Sequence, residues 1–351
     1  MLVLGIESSC DETGAAIVQD SGRLLSNVVA SSMDIHAQYG GVIPELAARS
    51  QIEAIVPVIQ QALATASCAW GDIDAIAVTN GAGLNGSLLI GVLTARTLAI
   101  INNKPLYGVN HVEGHIYANF LTQSTLGLTL PAAPPAFPML GVIVSGGHTQ
   151  LVFWRDHFDY TLLGQTQDDA IGEAFDKVAK IIGLPYPGGI NVSRLAVQGN
   201  PHAYHLPKAK MNKYDFSFSG LKTATLRLAQ EAVGKDYSLP SYKLPTLLND
   251  QQKADIAASF QRIACETVVD KVVAAVEEFH PRSVVIGGGV AANSELRRQL
   301  SARLPSPIAY TDPRLCGDNG AMIATLGSYK HALSASTSDP YTLATFPNLS
   351  M

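Results

Sequence analysis

Two histidines one helical turn apart are the residues of this sequence best suited to chemistry. His111 and His115 lie in the stretch 110–115. Strand-like residues 105–109 precede this stretch, so we expect residues 111–119 to form a helix with both histidines on one face. Neutral imidazole is the commonest protein ligand for iron, zinc and related ions. The spacing predicts a metal site; the alternative is two histidines without a metal role.

A third ligand must come from another part of the chain, and Asp318 is the candidate. It stands at the start of the last helical stretch, where an aspartate is ordinarily an N-cap. As a hard oxygen ligand it would instead complete a facial set of two histidines and one carboxylate. The sequence by itself leaves both roles open.

The nearest alternative chemistry is that of a metallopeptidase. In the zinc-peptidase pattern a glutamate directly follows the first histidine and serves as general base. Here Glu113 follows His111 by two positions, about 200° around the helix, so it should point away from the metal. This geometry argues against peptide hydrolysis.

The composition predicts a globular chain with room for two lobes, because it has 351 residues of which 47% are hydrophobic. The first apolar run is interrupted by Glu7 and lacks a basic start, so no signal peptide is predicted. No apolar run in the sequence reaches membrane-spanning length. The four cysteines form no CxxC pair, which indicates a reducing compartment. We therefore expect a cytoplasmic protein without membrane contact.

The net charge of −5 requires any nucleic-acid binding to use local basic patches. Two clusters are candidates for phosphate contacts, with solvated surface charge as the alternative. They are Lys208, Lys210 and Lys213, and Arg297, Arg298 and Arg303.

Two similar hairpins organise the elements that must position these residues. The first has strands at 2–6 and 15–19 around an acidic turn, and the second has strands at 139–144 and 150–154 around a glycine-rich turn. Each begins a long segment of helices and strands. This repetition favours an internal duplication.

Two glycine-rich loops follow predicted strands. Residues 81–86 match GxGxxG, but the next strand ends in Asn110 and not in the acidic residue that a dinucleotide fold uses on ribose. Residues 287–289 lead to Asn293, and this loop is the better nucleotide candidate because its glycines let a base or ribose approach the backbone. A plain tight turn is the alternative.

The lobe boundary is expected in the segment 121–138, which is rich in Leu, Thr, Ala and Pro. We expect an N-terminal lobe of residues 1–138, completed by a C-terminal helix at about 318–334, and a C-terminal lobe of residues 139–317. Residues 234–248 are expected to form a surface insertion.

Six ordered motifs in the sequence resemble those of the bacterial tRNA threonylcarbamoyladenosine transferase family (TsaD, formerly Gcp and once labelled an endopeptidase). The resemblance spans residues 1 to about 330. The motifs are Gly5–Thr13, Gly108–His115, Val144–Thr149, Gly172–Lys177, Phe216–Thr223 and Asp318–Met322. It implies the α/β, duplicated two-lobe actin/hexokinase/Hsp70-like (ASKHA) fold with a cleft between the lobes.

The activity implied by the resemblance is transfer of a threonylcarbamoyl group from threonylcarbamoyl-AMP to the exocyclic amine of the adenosine beside the anticodon, in tRNAs that read ANN codons. AMP is the leaving group. The family's pattern puts one divalent metal, iron first and zinc as the alternative, on His111, His115 and Asp318. Some relatives have a tyrosine where this chain has Ile143, so substrate oxygens or water are expected to take that ligand position.

The resemblance also implies the residues that hold the adenylate. They are Ile143, Val144, Ser145, Gly146, Gly147, Asp176, Gly189 and Asn293. The backbone amides of residues 145–148 can bind phosphate. Asp11 and Glu12, in the turn of the first hairpin, are candidates to assist removal of the amine proton.

The implied partners are tRNA, a paralogous subunit without a metal site (TsaB) and a P-loop ATPase (TsaE); the ATPase would account for the missing Walker motif. We expect the apolar helix 45–66 to face the paralogue. Rival functions are a small-molecule kinase of the same fold, a scaffold with a vestigial site and a metallopeptidase.

Overall fold

The chain divides into two compact units in a computed structural model that describes residues 1–305, 308 and 310–351. Unit 1 comprises Met1–Pro135 and Ala309–Met351, and unit 2 comprises Ala136–Ile308. Unit 1 is therefore built from two separate stretches of sequence, with unit 2 inserted between them.

Unit 1 is centred on a six-stranded sheet of order β5-β4-β1-β2-β3-β6. Helix α2 begins with a proline in its first turn, where the missing N–H costs nothing. The elements of unit 1 are β1 (Leu2–Glu7), β2 (Glu12–Gln19), β3 (Arg23–Ser31), α1 (Met33–Ala37), α2 (Pro44–Ala66), β4 (Ala75–Gly81), α3 (Asn85–Asn102), β5 (Leu106–Asn110), α4 (His111–Tyr117), β6 (Gln123–Ser124) and α11 (Gly320–Ala332).

Unit 2 contains a four-stranded sheet of order β10-β7-β8-β9. Its longest helix, α9, begins with a capping box between Asn249 and Gln252. The elements of unit 2 are β7 (Met139–Val144), β8 (Thr149–Asp156), β9 (Asp159–Gln165), α5 (Ile171–Ile182), α6 (Gly188–Ala196), α7 (Ser219–Ala232), α8 (Leu244–Leu247), α9 (Asp250–Phe279), β10 (Ser283–Gly287) and α10 (Ser294–Arg303).

The two sheets share one pairing pattern. In unit 1, β1 pairs antiparallel with β2 and parallel with β4. In unit 2, β7 pairs antiparallel with β8 and parallel with β10. In both sheets a third antiparallel strand, β3 or β9, follows. The duplication inferred from the two hairpins is therefore present in the strand pairing.

Helix α11 packs against β1, β2 and β4 at a contact where glycine is required. A Cβ on Gly5 would lie 2.6 Å from both Ala324 Cα and Gly320 O. A Cβ on Gly320 would lie 2.5 Å from the backbone of Ala15. Asp318 lies two residues before α11, so this close packing brings it to the sheet of unit 1.

We expect Gly5→Ala to destabilise unit 1 by about 3 kcal/mol, since the added methyl must push α11 away from β1. Urea denaturation followed by tryptophan fluorescence measures the change. Gly71→Ala is the matched control, because a Cβ there meets nothing within 4 Å. Equal stability of the two variants would contradict the close packing of α11.

The boundary between the units falls within the segment 121–138, but most of this segment packs into unit 1. Leu121 is fully buried, and Leu126, Leu128 and Leu130 pack on the same apolar cluster. The chain passes from unit 1 to unit 2 between residues 135 and 136. It returns to unit 1 between residues 308 and 309, not between 317 and 318 as expected. In unit 1 the Asp312 carboxylate accepts the Thr129 N–H at 2.9 Å.

Most residues of the segment 234–248 are exposed, as expected of a surface insertion, but two leucines anchor it. It contains α8, and Leu244 and Leu248 are buried. A Cβ on Gly183, at the end of α5, would lie 2.6 Å from Pro245 Cβ. This apolar contact ties the segment to α5.

One helix, α3, is long and apolar enough to cross a membrane by length and composition, although none was expected from the sequence. A third of the helix is buried, and it packs on β4 and α2. Its outer face exposes Leu89 and Leu93, at 43% and 45%. Core helices of soluble proteins can have the same length and composition.

Candidate active site

The helix that carries the two histidines starts where β5 ends. The Asn110 side chain caps α4, since its Oδ1 accepts the N–H of Val112 at 2.8 Å and of Glu113 at 3.4 Å. His111 and His115 then stand one turn apart, with ring centroids 4.7 Å apart. Both are buried, at 6% and 1% exposure. The predicted helix is present, although α4 itself ends at Tyr117.

The carboxylate of Asp318 meets both histidines. Its Oδ1 lies 3.5 Å from His111 Nε2 and 3.3 Å from His115 Nε2. The cap of α11 is the next residue, Asn319, whose side chain accepts the Met322 N–H. The N-cap alternative for Asp318 is therefore wrong, and its carboxylate is directed to the histidines.

These three residues fit a metal ion. Their ligand atoms lie within 4.8 Å of one another. In the part of the chain that the structure describes, neither ring nitrogen of the buried His115 has a hydrogen-bond partner. Two imidazoles and one carboxylate suit iron and other first-row divalent ions, and zinc as well.

The electrostatics of the three-residue cluster are those of a site that prefers a cation. Burial disfavours a charged imidazole at His111, but the Asp318 and Glu7 carboxylates outweigh this and raise its pKa to about 9. A metal must therefore displace a proton from this ring at neutral pH.

Glu113 does not join the cluster, as its helical position predicted. Burial raises its pKa to about 7, against the opposing influence of Lys330. Its Oε1 has no hydrogen-bond partner among the described residues. A glutamate outside the ligand cluster does not favour the metallopeptidase alternative.

Side chains from two helices donate hydrogen bonds to the acidic turn between β1 and β2. Gln51 of α2 donates to the carbonyls of Cys10 and Glu12 at 3.0 and 3.1 Å. Ser87 of α3 donates to the same Cys10 carbonyl at 3.1 Å. Asp11 and Glu12 are half-buried on this turn. Gln51 could not be predicted from the sequence, because a glutamine in an apolar helix carries no local signal.

The pKa of Glu12 lies above its ordinary value, so its carboxyl favours the protonated form at neutral pH when no metal is bound. Burial and the neighbouring Asp318 and Asp11 carboxylates raise its pKa to about 9. Its side chain accepts a hydrogen bond from Ser31 Oγ at 3.2 Å. In this state it can donate a hydrogen bond but cannot take a proton.

The adenylate candidates in unit 2 gather where β7 and β10 end. The two strands are parallel, and Gly287 pairs with Ile143. Ile143 and Val144 are buried strand residues, so their side chains do not reach solvent. The exposed part is the turn after them, where a Cβ on Gly146 or Gly147 would meet open space.

Helix α6 connects the remaining candidates. Asp176 of α5 accepts the Gly188 N–H at 2.7 Å, next to Gly189 in the first turn of α6. Ser193 of α6 accepts a hydrogen bond from Asn293 Nδ2 at 2.9 Å.

The Asn293 side chain already has partners within the chain. Its Nδ2 also donates to Gln261 at 2.9 Å, and its Oδ1 accepts the Leu296 N–H at 3.0 Å as the cap of α10. The expectation that its side chain binds nucleotide directly is therefore less well supported than a role in shaping the glycine loop.

The GxGxxG loop at 81–86 is occupied by the chain itself. The N–H of Gly83 donates to Pro347 O at 3.1 Å, and that of Leu84 donates to Ser9 O at 2.7 Å. These amides cannot bind a pyrophosphate while so engaged, in agreement with the sequence argument against a dinucleotide site.

Most of the basic candidates for tRNA contact are ion-paired. Lys208 contacts Glu266 and Asp270 at 2.7 and 2.6 Å. Three others are paired as well, namely Lys213 with Glu278, Arg298 with Glu295 and Arg303 with Asp270. A phosphate at these positions must compete with carboxylates.

Solved structures similar to this chain define its fold class. Component A of (R)-2-hydroxyglutaryl-CoA dehydratase from Acidaminococcus fermentans aligns with a TM-score of 0.53 and 16% identity, over 95% of this chain and 99% of that chain. HypF from T. kodakarensis aligns with a TM-score of 0.58 and 13% identity, over 97% and 49%. At such identities the likeness shows the fold alone, and it confirms the predicted actin/hexokinase/Hsp70-like class.

Sequence comparisons are more specific. A Thermomicrobium roseum protein named tRNA N6-adenosine threonylcarbamoyltransferase is 48% identical over 341 residues, covering 94% of this chain and 92% of that protein. A Symbiobacterium thermophilum protein of the same name is 50% identical over 332 residues, covering 93% and 91%. The family model TsaD, described as tRNA N6-adenosine threonylcarbamoyltransferase, matches residues 23–325. The chain belongs to the TsaD family.

Proposed function

We propose that this chain transfers the threonylcarbamoyl group from threonylcarbamoyl-AMP to the exocyclic amine of adenosine 37 in tRNAs that read ANN codons, and releases AMP. The observation that carries the proposal is the convergence of His111, His115 and Asp318 in a member of the TsaD family. The free thiols of all four cysteines fit the cytoplasmic location that we propose for it.

The reaction joins the adenosine amine to the carbamoyl carbon and breaks the bond from that carbon to the AMP phosphate oxygen. AMP leaves with the electron pair of that bond, and the amine gives up a proton. A mixed anhydride already has a good leaving group, so the protein must chiefly orient the amine and stabilise charge.

We assign the adenylate to unit 2. The exposed amides of Gly146 and Gly147 suit its phosphate. Asp176 and Asn293 hold the first turns of α6 and α10, and Gly189 leaves the first turn of α6 open. Ile143 and Val144 contribute by holding the turn on the sheet.

We assign the metal to His111, His115 and Asp318, with iron first and zinc as the alternative. When bound, it supplies a Lewis acid and a template for the transferred group. Asp11 is our candidate to take the amine proton, and Glu12 stands beside it as a hydrogen-bond donor while its own proton remains.

A transfer assay tests the proposal. Labelled threonylcarbamoyl-AMP is incubated with unmodified tRNA, the chain and its partner proteins, and label in tRNA is measured together with released AMP. A tRNA without adenosine at the acceptor position is the control. Failure to label tRNA, together with phosphorylation of a small metabolite by ATP, would favour the kinase alternative.

We further propose that the paralogous subunit TsaB binds the outer face of α2 and α3, and that TsaE joins this assembly. Ile52 and Val56 are 59% and 54% exposed, one turn apart on α2. Leu89 and Leu93 are exposed with the same spacing on α3. We infer a protein interface from this exposed apolar face.

We expect Val56→Asp to weaken binding of the paralogue at least about 100-fold, because it would bury an unpaired charge. Isothermal titration calorimetry with purified TsaB measures this. Val197→Asp is the control, since Val197 is 81% exposed in unit 2. Equal affinities of the two variants would remove α2 from the interface.

A further inference from the structure

A third carboxylate contacts the metal cluster from behind. Glu7 ends β1 and is fully buried. Its Oε2 lies 3.2 Å from His111 Nδ1, the ring nitrogen that faces away from Asp318. Ser9 Oγ also lies 3.0 Å from this nitrogen. Nothing in the local sequence indicates this contact, since the two residues are 104 positions apart.

The Glu7 carboxylate is itself held in place. Thr79 Oγ1 donates to its Oε2 at 2.5 Å, and the Ser9 N–H donates to its Oε1 at 2.5 Å. A carboxylate without solvent contact needs such donors, because burying a charge is costly. With Oε1 and Oε2 both engaged, its orientation toward His111 is fixed.

The contact decides which nitrogen of His111 is available. An acceptor at Nδ1 keeps a hydrogen on that nitrogen, and the lone pair of the neutral ring is then on Nε2. His111 Nε2 is the atom 3.5 Å from the Asp318 carboxylate. Carboxylates commonly orient metal-binding histidines in this way.

We propose that Glu7 is a positioning residue that fixes the His111 ring and its tautomer for metal binding. The proposal rests on the proposed metal role of His111, His115 and Asp318. Glu7 does not itself approach the metal, because its contact is with the far nitrogen of the ring.

The change Glu7→Gln tests this role with little change in shape. A glutamine has one oxygen and one NH2 group where Glu7 has two acceptors. If its NH2 faces Ser9, two N–H groups oppose each other in the core. If its NH2 faces His111, it donates to Nδ1, and the ring hydrogen moves to Nε2, where it blocks the metal. Either arrangement should weaken the site.

Zinc affinity of the metal-free chain, measured by competition with a chromophoric chelator at fixed pH, is the first readout. We expect Glu7→Gln to bind zinc about 10- to 100-fold more weakly than wild type. The absorption spectrum of bound cobalt is the second readout and should change with ring orientation. Circular dichroism and urea denaturation verify folding.

Glu113→Gln is the matched control. It also removes a buried carboxyl group close to His111 in sequence, but Glu113 is absent from the ligand cluster. We expect its zinc affinity to stay within about twofold of wild type. An equal loss in both variants would mean a general charge effect and would overturn the positioning role.

Thr79→Val provides a second test if Glu7→Gln does not fold. It removes the hydroxyl that donates to Glu7 Oε2, and we expect an intermediate loss of zinc affinity. Wild-type affinity in folded Glu7→Gln or Thr79→Val would also overturn the proposal. Absence of zinc binding by wild type would instead refute the proposed metal site, so the two failures are distinguishable.

Discussion

Asp318→Ala is expected to lose metal binding and threonylcarbamoyl transfer while keeping its fold. The Asp318 carboxylate contacts both histidines, and no other residue joins their cluster in the part of the chain that the structure describes. We expect metal affinity and transfer rate each to fall more than about 100-fold, beyond the range found for residues that merely support a ligand. His111→Ala should have a similar effect.

The neighbouring residue supplies the control for this prediction. Asn319→Ala removes the cap of α11 and should cost about 1 kcal/mol of stability, yet it leaves the three ligands in place. Chelator competition, the transfer assay and urea denaturation are measured on both variants. Full metal affinity in Asp318→Ala, or equal loss in Asn319→Ala, would contradict the assignment.

The metal-free protein is expected to become less stable as the pH rises from about 6 to 9. His111 has an ordinary pKa of 6.5 and a folded pKa of about 9, so its contribution is complete below pH 6.5 and is lost as pH rises through 9. A tenfold change in proton affinity corresponds to about 1.4 kcal/mol. The His111 ring should therefore contribute roughly 3 kcal/mol to the free energy of unfolding below pH 6.5.

Two carboxyl groups act in the same direction. Glu12 and Glu113 have folded pKa values of about 9 and about 7, against an ordinary 4.5. Burial penalises the ionised form of each carboxyl in the folded chain, so each lowers the stability as the pH rises from its ordinary pKa to its folded pKa. Carboxylates with lowered pKa values, such as Asp312, act on the acid side of this range.

Urea denaturation at pH 6, 7.5 and 9, with a chelator or with added zinc, measures this dependence. Zinc should flatten it, because a cation beside Asp318 takes over the role of the bound protons. Glu12→Gln should flatten it in part without metal. A metal-free stability that is constant or increasing between pH 6 and 9 would show that these groups are not held as the structure has them.

Local patterns predicted the parts of the site that depend on local geometry. The spacing of His111 and His115 was sufficient to place both on one face of α4, and the same geometry separated Glu113 from them. The two hairpins predicted the duplicated pairing, because turn residues and strand alternation are local signals.

Contacts between distant parts of the chain carry no such signal. The sequence left the role of Asp318 undecided, because an aspartate before a helix can be either an N-cap or a metal ligand. Only the tertiary structure assigns the cap to Asn319. Glu7 and Gln51 are polar residues in apolar elements, and their partners lie tens of residues away. The packing of Leu126 and Leu128 was missed because their segment lacks helical or strand periodicity.

The division of unit 1 into two stretches has a consequence for biosynthesis. His111 and His115 leave the ribosome long before Asp318, and the whole of unit 2 is translated in between. Until α11 arrives, Gly5 and Gly14 of the first hairpin have no helix against them. Unit 2 is continuous and can fold while translation proceeds, whereas the metal cluster can assemble only afterwards. A nascent chain stalled before residue 318 should therefore be unable to take up metal with full affinity, which delays loading until the ligand set is complete.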